Sequence, residues 1–487
     1  MMNGHAISPS RAVVWALQVA LSLSTCGALA PPGLAQQSPD PSVPVRVDER
    51  VELMSIVFRL AGAGEYTMAP GLASYVKEVD AHFGPFKDHA AIKLAARLRA
   101  ERGIGFDAVA SYAVHLRGGP QLEPKIPFDD PKSDLESRWS PEAAAEFLTA
   151  LQQFADDTKA FEFFEDHREF YVAAAQRLET EIARRPYRQW LDGFFGGSAE
   201  AEFTGIVGLL NGGGNYGMKV VHPDGRLEIL PIIGASRFDA AGLPIFNSND
   251  AGTVAHEFCH SFCNPLVDRF ADQLVPAGDK IFPFRETLMR PQAYSGGRTM
   301  LYESLVRACT HRFLCAHGNE REAAGDLQQE VSRGFLWTPA LSALLHEYET
   351  SRDKYPTLES FMPRIVEFFD KLAGTIEERV AQLPHVVRMT PPNGAVDVDP
   401  ALAQITIEFD RPMKPGGRAI VGRPTDTPPT AGTPHFADGD QVFLLPVRLI
   451  PGKTYKFSLN SINFSGFVSA DGLPLDPVAV TFSTAEP

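Results

Sequence analysis

Two histidines four residues apart, His256 and His260, enclose Glu257 in the string His256-Glu257-Phe258-Cys259-His260. On a helix, residues at i and i+4 share a face, so both imidazoles can reach one cation. Imidazole nitrogen suits zinc, and zinc lowers the pKa of a bound water towards about 7. Glu257 follows the first histidine and is placed to take that water's proton. These residue types in this order point to a zinc-dependent hydrolase. The bland alternative is a pair of core histidines that hold no metal.

A catalytic zinc takes three protein ligands and keeps one position open. Asp268 and Asp272 follow closely, but they lie beyond Asn264-Pro265, a pair expected to end the helix. Glu286 stands among prolines and aromatic residues with no clear helical face. Glu303 lies in residues 299–316, whose leucines and alanines support a continuous helix, and a helix fixes a ligand's direction better than a loop does. Glu303 is therefore the favoured third ligand. Arg307, one turn further, is spaced to orient that carboxylate, or simply to pair with it along the helix. A hydrolytic oxyanion also needs a donor. Tyr294, Tyr302 and Tyr216 are candidates, with Arg298 and Arg307 close in sequence. Tyr294 is preferred because its loop, Tyr294-Ser295-Gly296-Gly297, could swing over a cleft. His222, His311, His317 and His346 lack an acid partner at ligand spacing and read as structural or solvent-facing.

The elements that must carry these residues follow from pattern. A helix is expected over residues 251–263, capped by one of Asn247, Ser248, Asn249 or Asp250 and stopped by Asn264-Pro265. Ahead of it, the glycine run 212–217 enters a strand at 218–221, Pro223-Asp224-Gly225 turns, and 227–233 returns as a β-hairpin. The glycine run formally matches G-x-G-x-x-G, but it opens no helix within a βαβ unit, so a dinucleotide site is excluded. Apolar periodicity predicts helices over 51–60, 72–83, 89–102 and 106–116. A polar loop spans 118–140, Pro141 opens a helix after Ser140, and a long amphipathic helix is expected over 156–183. From His385, strand-like runs at 404–409, 441–446, 453–459 and 478–483 read as a small sandwich. The fold class expected is α+β: a helix-rich domain with a small sheet over 36–384, then an all-β sandwich over 385–487.

The 487 residues carry a net charge of −15 with 44% hydrophobic content, which suits a globular protein and argues against broad nucleic-acid binding. Residues 1–35 read as a signal peptide: Arg11, an apolar stretch over 12–23, and a cleavage site at Gly33-Leu34-Ala35. Export places the chain in the periplasm or outside the cell. Leu23-Ser24-Thr25-Cys26 offers a rival reading as a lipobox with a lipid anchor on Cys26, and an uncut N-terminal anchor is a third. Beyond the signal, Cys259, Cys263, Cys309 and Cys315 are either disulfide partners, in a pairing left open, or buried thiols.

The motif resembles that of the zincin metallopeptidases of gluzincin type. More narrowly, the chain is similar to a family of secreted bacterial proteins of unknown function that carry H-E-F-x-H-S-F-x-N-P. Here that string occupies residues 256–265, with Cys259 and Cys263 at the variable positions, and the similarity extends over about 47–379. The metzincin continuation, glycine then histidine, is replaced by Cys263 and Leu266. The resemblance implies a catalytic domain whose small sheet borders the cleft with an edge strand. The hairpin at Asn215-Tyr216-Gly217 could supply that edge and pair with an extended peptide. From about Pro384, the segments Thr390-Pro391-Pro392-Asn393-Gly394-Ala395, Gly452-Lys453-Thr454-Tyr455 and Phe482-Ser483-Thr484 resemble a bacterial Ig-like domain, which implies a spacer or a cell-surface contact and no catalysis. The leading expectation is an exported zinc peptidase acting on protein or peptide, with zinc on His256, His260 and Glu303 and Glu257 activating water. The alternatives are a zinc amidase acting on a cell-wall or other non-protein amide, and a non-catalytic surface-binding protein. An intact Glu257 argues against the last.

Overall fold

A computed structural model describes residues 43–68, 74–196 and 201–486; the expected signal peptide and Cys26 lie outside them. Strand β1 (Val45–Val47) leads into α1 (Glu49–Leu60), whose first turn is capped by the Asp48 carboxylate accepting from the Arg50 amide. Three helices expected from periodicity follow: α2 (Ser74–Phe83), α3 (Ala90–Arg102) and α4 (Asp107–His115). Ser140 caps α5 (Pro141–Asp157), with proline at its first turn.

The long helix expected over 156–183 is instead broken into the end of α5, then α6 (Ala160–Asp166) and α7 (Arg168–Ile182). Lys159 takes a left-handed conformation, φ 54°, between the first two. That costs a non-glycine residue about 1–2 kcal/mol. Burial of Phe163 and Phe164, directly beyond the break, offsets it. No glycine or proline marks the break, so periodicity alone runs through it.

The sheet of this domain holds β1, β2 (Ala201–Phe203), β3 (Gly205–Gly208), β4 (Tyr216–Val221) and β5 (Leu227–Gly234). β2 and β3 run parallel to β5 along one side, and β1 runs parallel to β3. β4 pairs antiparallel with the other side of β5, from Tyr216↔Ile232 to Val221↔Leu227. Among the described residues no other strand pairs with β4, so the expected hairpin is present and its first strand is the sheet's edge.

Helix α8 (Tyr187–Phe195) precedes β2, and after the sheet the domain is helical: α9 (Ala251–Arg269), α10 (Ala271–Ile281), α11 (Glu286–Met289), α12 (Gly297–His317), α13 (Glu320–Ser332), α14 (Thr338–Thr350), α15 (Leu358–Ala373) and α16 (Ile376–Ala381). Asn264-Pro265 does not stop α9, which carries Pro265 inside it and continues to Arg269. Proline removes one intrahelical hydrogen bond, but the helix is held by its buried face. Phe258, Cys259 and Cys263 are fully buried there, and Val267 nearly so. Phe258 packs between the rings of Tyr187 and Phe203. Cys263 and Cys309 bring α9 against α12 with sulfurs 3.8 Å apart, and Cys259, Cys263 and Cys309 are buried free thiols.

A second, separate core belongs to residues beyond Val386. Its sheets are β6 (Val386–Thr390), β7 (Gln404–Phe409), β10 (Val442–Pro446) and β9 (His435–Ala437) in that order, and β12 (Val478–Ser483), β11 (Thr454–Leu459) and β8 (Ile420–Val421). Alternate residues face inward, as in Ile405, Ile407 and Phe409 of β7 against Phe443 and Leu445 of β10. The fold class is thus α+β, helix-rich with a small sheet, followed by an all-β sandwich. The two domains touch. Arg285, 1% exposed, donates to both carboxylate oxygens of Asp476 at 2.9 Å, and Ser332 Oγ donates to Ser465 Oγ at 2.6 Å. Among the described residues no helix is long and apolar enough to cross a membrane.

Candidate metal centre

Helices α9 and α12 pack closely, and their contact sets the geometry of the site. His256 and His260 project from one face of α9 and Glu303 from the facing side of α12. The His256 and His260 Nε2 atoms are 3.2 Å apart; Glu303 Oε2 is 3.5 Å from the first and Oε1 is 3.4 Å from the second. Ligands at 2.0–2.1 Å around a tetrahedral zinc stand about 3.3 Å from one another. The donor types and their spacing therefore fit zinc. Two imidazole nitrogens this close cannot both point lone pairs at each other without a cation or a proton between them. Among the described residues, these three form the only cluster of metal-ligating side chains drawn together in this way. Their side chains keep 17, 15 and 12% of their surface, enough to open onto the cleft.

Each donor is oriented by a neighbour. His260 Nδ1 is 3.2 Å from Asn264 Oδ1, an arrangement in which Nδ1–H donates and Nε2 keeps its lone pair for the site. Burial holds the His260 imidazole down to about 4, partly opposed by the Glu303 carboxylate, so it is neutral at physiological pH, the form that ligates a metal. Burial also works against charge on His256, but its hydrogen bond and attraction to Glu303 prevail and raise its pKa. Burial alone would raise Glu303, yet the Arg307 guanidinium and the two histidines hold its carboxyl well below the usual carboxylate range.

Arg307 Nη2 donates to Glu303 Oε2 at 3.0 Å and to the Tyr294 hydroxyl at 2.7 Å, while Nη1 donates to Glu330 on α13. Burial and the Glu303 carboxylate nearby push the Tyr294 hydroxyl pKa up, with Arg307 opposing. Trp337 Nε1 donates to Ser304 Oγ at 2.9 Å, which fixes the rotation of α12 so that Glu303 faces α9.

Glu257 is 6% exposed and lies beside the cluster. Burial pushes its carboxyl up to about 7, with the His256 charge opposing and the Glu303 carboxylate adding to the rise. A neighbouring dication would pull it back down. Gly217 of edge strand β4 packs against the Glu257 backbone. That contact requires glycine: a Cβ at 217 would stand 2.4 Å from the Glu257 carbonyl oxygen and 2.6 Å from His260 Cβ. Strand β4 is seated directly on the helix that carries the histidines.

The other sequence candidates fall elsewhere. Asp268 shares helix α9 but binds Arg298 and the Tyr302 hydroxyl. Tyr302 is thereby turned from the cluster. Glu286 pairs with Arg290 at 2.5 Å. Tyr216 is buried at the start of β4 and does not line the cleft. Tyr294 lines the cleft, but its hydroxyl is engaged by Arg307 in the folded chain rather than carried on a free loop. Of the four histidines read as structural or solvent-facing, three pair with an acid: His222 with Glu228, His311 with Asp326 and His346 with Glu349.

Sequence reasoning missed Asn264, read as a helix stop although it lies four residues after His260, a spacing that could have found it. It also missed Glu330, for which no local pattern exists, and it placed Gly217 on the edge strand without its seat against Glu257 and His260.

The cluster forms the floor of a cleft of about 1,210 Å³. Gly213 and Asn215 border it on one side and α13 on another, and Ile462 and Asn463 of the C-terminal sandwich also line it.

Comparison with known proteins gives two family matches. A model described as "Domain of unknown function (DUF4932)" matches residues 43–368, and one described as "Bacterial Ig-like domain" matches residues 381–484. No curated protein matches the chain. Two solved structures are similar over part of it. The first, "Structure of surface layer protein SbsC, domains 1-6", is 15% identical, covers 50% of this chain and 34% of that chain, and has a TM-score of 0.17. The second, "Crystal structure of the S-layer protein rSbsC(31-844)", is 11% identical, covers 82% and 46%, and also has a TM-score of 0.17. The chain thus spans less than half the length of these proteins, and similarity at that score carries no argument. Since the first family model takes in well over half of its 487 residues, the chain belongs to the DUF4932 family, with a bacterial Ig-like domain at its C-terminal end.

Proposed function

We propose that this protein is an exported zinc-dependent peptidase. The observation that carries the reading is the convergence of His256 Nε2, His260 Nε2 and the Glu303 carboxylate at zinc-ligand spacing, on the floor of a cleft that also holds Glu257. Export rests on the signal-like residues 1–35.

His256, His260 and Glu303 would hold the metal, with Asn264, Arg307 and Tyr294 fixing their directions. Zinc, when bound, supplies Lewis-acid polarisation and makes water acidic enough to ionise near neutral pH. Glu257 accepts a proton from the attacking water as its oxygen bonds to the scissile carbonyl carbon. As the carbon–nitrogen bond breaks, Glu257 returns that proton to the departing amine. Its near-complete burial keeps bulk water from competing for the proton. The chain entering edge strand β4, at Gly213 and Asn215, borders the cleft, and its free edge there is the place for an extended chain to pair, which favours a peptide over a compact amide.

The test is metal analysis after dialysis against a weak chelator, followed by cleavage of an unbiased peptide library. The expected result is about one zinc per chain, cleavage by the native protein, and a loss of several orders of magnitude in Glu257→Gln with zinc retained. Near-normal turnover by that variant, or a native chain that retains no zinc, would overturn the reading. Cleavage of cell-wall amides with no action on peptides would move it to an amidase on the same site.

A further inference from the structure

An Ig-like domain that served only as a spacer would need no fixed seat on its neighbour. Here the seat is built. Arg285, buried in the helical domain, grips Asp476 through two hydrogen bonds, and Ser332 at the end of α13 holds Ser465. Between Asn460 and Gly466 the sandwich extends a short turn, and two of its residues, Ile462 and Asn463, line the same cleft as His256, Glu257 and Glu303.

That turn is rigid before anything binds. Ser461 and Phe464 exchange backbone hydrogen bonds, and the Ser461 hydroxyl accepts from the amides of Asn463 and Phe464. Asn460, 1% exposed and at φ 58°, clamps the base: its amide donates to the carbonyls of Phe467 and Leu475, and its oxygen accepts from the Phe467 amide. Gly466 lies so close to the Arg418 backbone that no side chain fits. A preorganised turn loses little entropy when it contacts a ligand.

Its chemistry differs from the rest of the cleft. Arg307, Asp326, Glu330 and Arg333 line the α13 side with charge, whereas the turn offers the half-buried Ile462 and, one residue beyond Asn463, a Phe464 that is 62% exposed. Phe464 contributes nothing to either core. The cleft is larger than the roughly 300–1,000 Å³ that holds a small ligand, so a chain bound at the metal centre has room to extend towards the turn.

We infer that the turn between Asn460 and Gly466 of the Ig-like domain is a substrate-contacting wall of the cleft, and that it selects extended polypeptides bearing an apolar side chain some residues away from the bond at the metal centre. The inference rests on the zinc-peptidase reading and adds a second determinant that the metal motif does not contain.

The test uses the full zinc-loaded chain and two kinds of probe: acetohydroxamate, which engages the metal alone, and peptide hydroxamates carrying one to four residues on either side, with leucine or serine at each position in turn. In the native protein the longer leucine probes should bind at least about tenfold more tightly than the matching serine probes. In Ile462→Ser/Phe464→Ser that preference should vanish, while zinc content and acetohydroxamate affinity stay unchanged. Ile462→Val/Phe464→Leu should restore it, which separates contact from folding. An unchanged leucine preference in the serine variant, with zinc and acetohydroxamate bound normally, overturns this inference and leaves the peptidase reading standing. A native chain that binds neither zinc nor acetohydroxamate overturns both.

Discussion

Glu303 has a carboxylate bound by three different neighbours, and this separates it from the other acids near the motif. Asp268 and Glu286 already spend their charge on Arg298 and Arg290. Glu303→Ala should therefore lose zinc on dialysis against a weak chelator, while Asp268→Ala and Glu286→Ala retain it, with circular dichroism unchanged in all three. Zinc retained in Glu303→Ala and lost in either of the others would move the third ligand. Tyr294→Phe removes a hydroxyl that accepts from Arg307, the residue that orients Glu303, so it should weaken zinc retention. Full retention with a large fall in turnover would instead mark Tyr294 as the oxyanion donor. A further carboxyl, Glu52, is fully buried and accepts from Tyr75 and from the Leu209 amide, just before the glycine loop that borders the cleft. Burial raises its pKa from 4.5 to about 7. An acid whose folded pKa is raised stabilises the fold fully below its unfolded pKa and loses that contribution as pH climbs through the folded value. Native stability relative to Glu52→Gln should accordingly fall by about 3 kcal/mol between pH 4 and pH 8. Parallel pH–stability curves for the two proteins would show that Glu52 does not titrate in this way.

Among elements, the decisive contact is β4 on α9. The strand reaches the helix at Gly217, where even a methyl group would meet the Glu257 carbonyl and His260 Cβ. Gly217→Ala should force strand and helix apart, cost about 1–3 kcal/mol in unfolding free energy, and weaken zinc retention because His260 shifts with its helix. An alanine variant with native stability and native zinc content would show that the contact is dispensable. The continuation of α9 through Pro265 has a related cause. The helix is held by burial of Phe258, Cys259, Cys263 and Val267 rather than by an unbroken hydrogen-bond ladder. Local rules about proline describe the ladder and say nothing of the burial.

For the whole molecule, the two cores are separate, so the chain ending near Leu383 should still melt cooperatively and keep zinc. Its midpoint should drop by only a few degrees, because Arg285 loses Asp476 but gains water. Loss of the cooperative transition in that fragment would make the Ig-like domain part of the helical fold.

What was legible in the sequence was whatever depends on neighbours a few residues away. His256, Glu257 and His260 share a helix face by spacing alone, and the β4–β5 hairpin follows from its turn and its β-branched run. The alternation in β7, β10, β11 and β12 marks the sandwich. The helix carrying Glu303 was also readable, because residues 299–316 contain no breaker. Tertiary structure decided everything that depends on which surfaces meet. It brought Glu303 to the histidines through the packing of α12 on α9, joined Arg307 to Glu330 on a third helix, seated Gly217 on the motif, and put Ile462 of a separate domain beside the same cleft. Hydrogen-bond geometry and helical period act over a turn or two of chain. Burial acts between segments hundreds of residues apart, and no local pattern records its outcome.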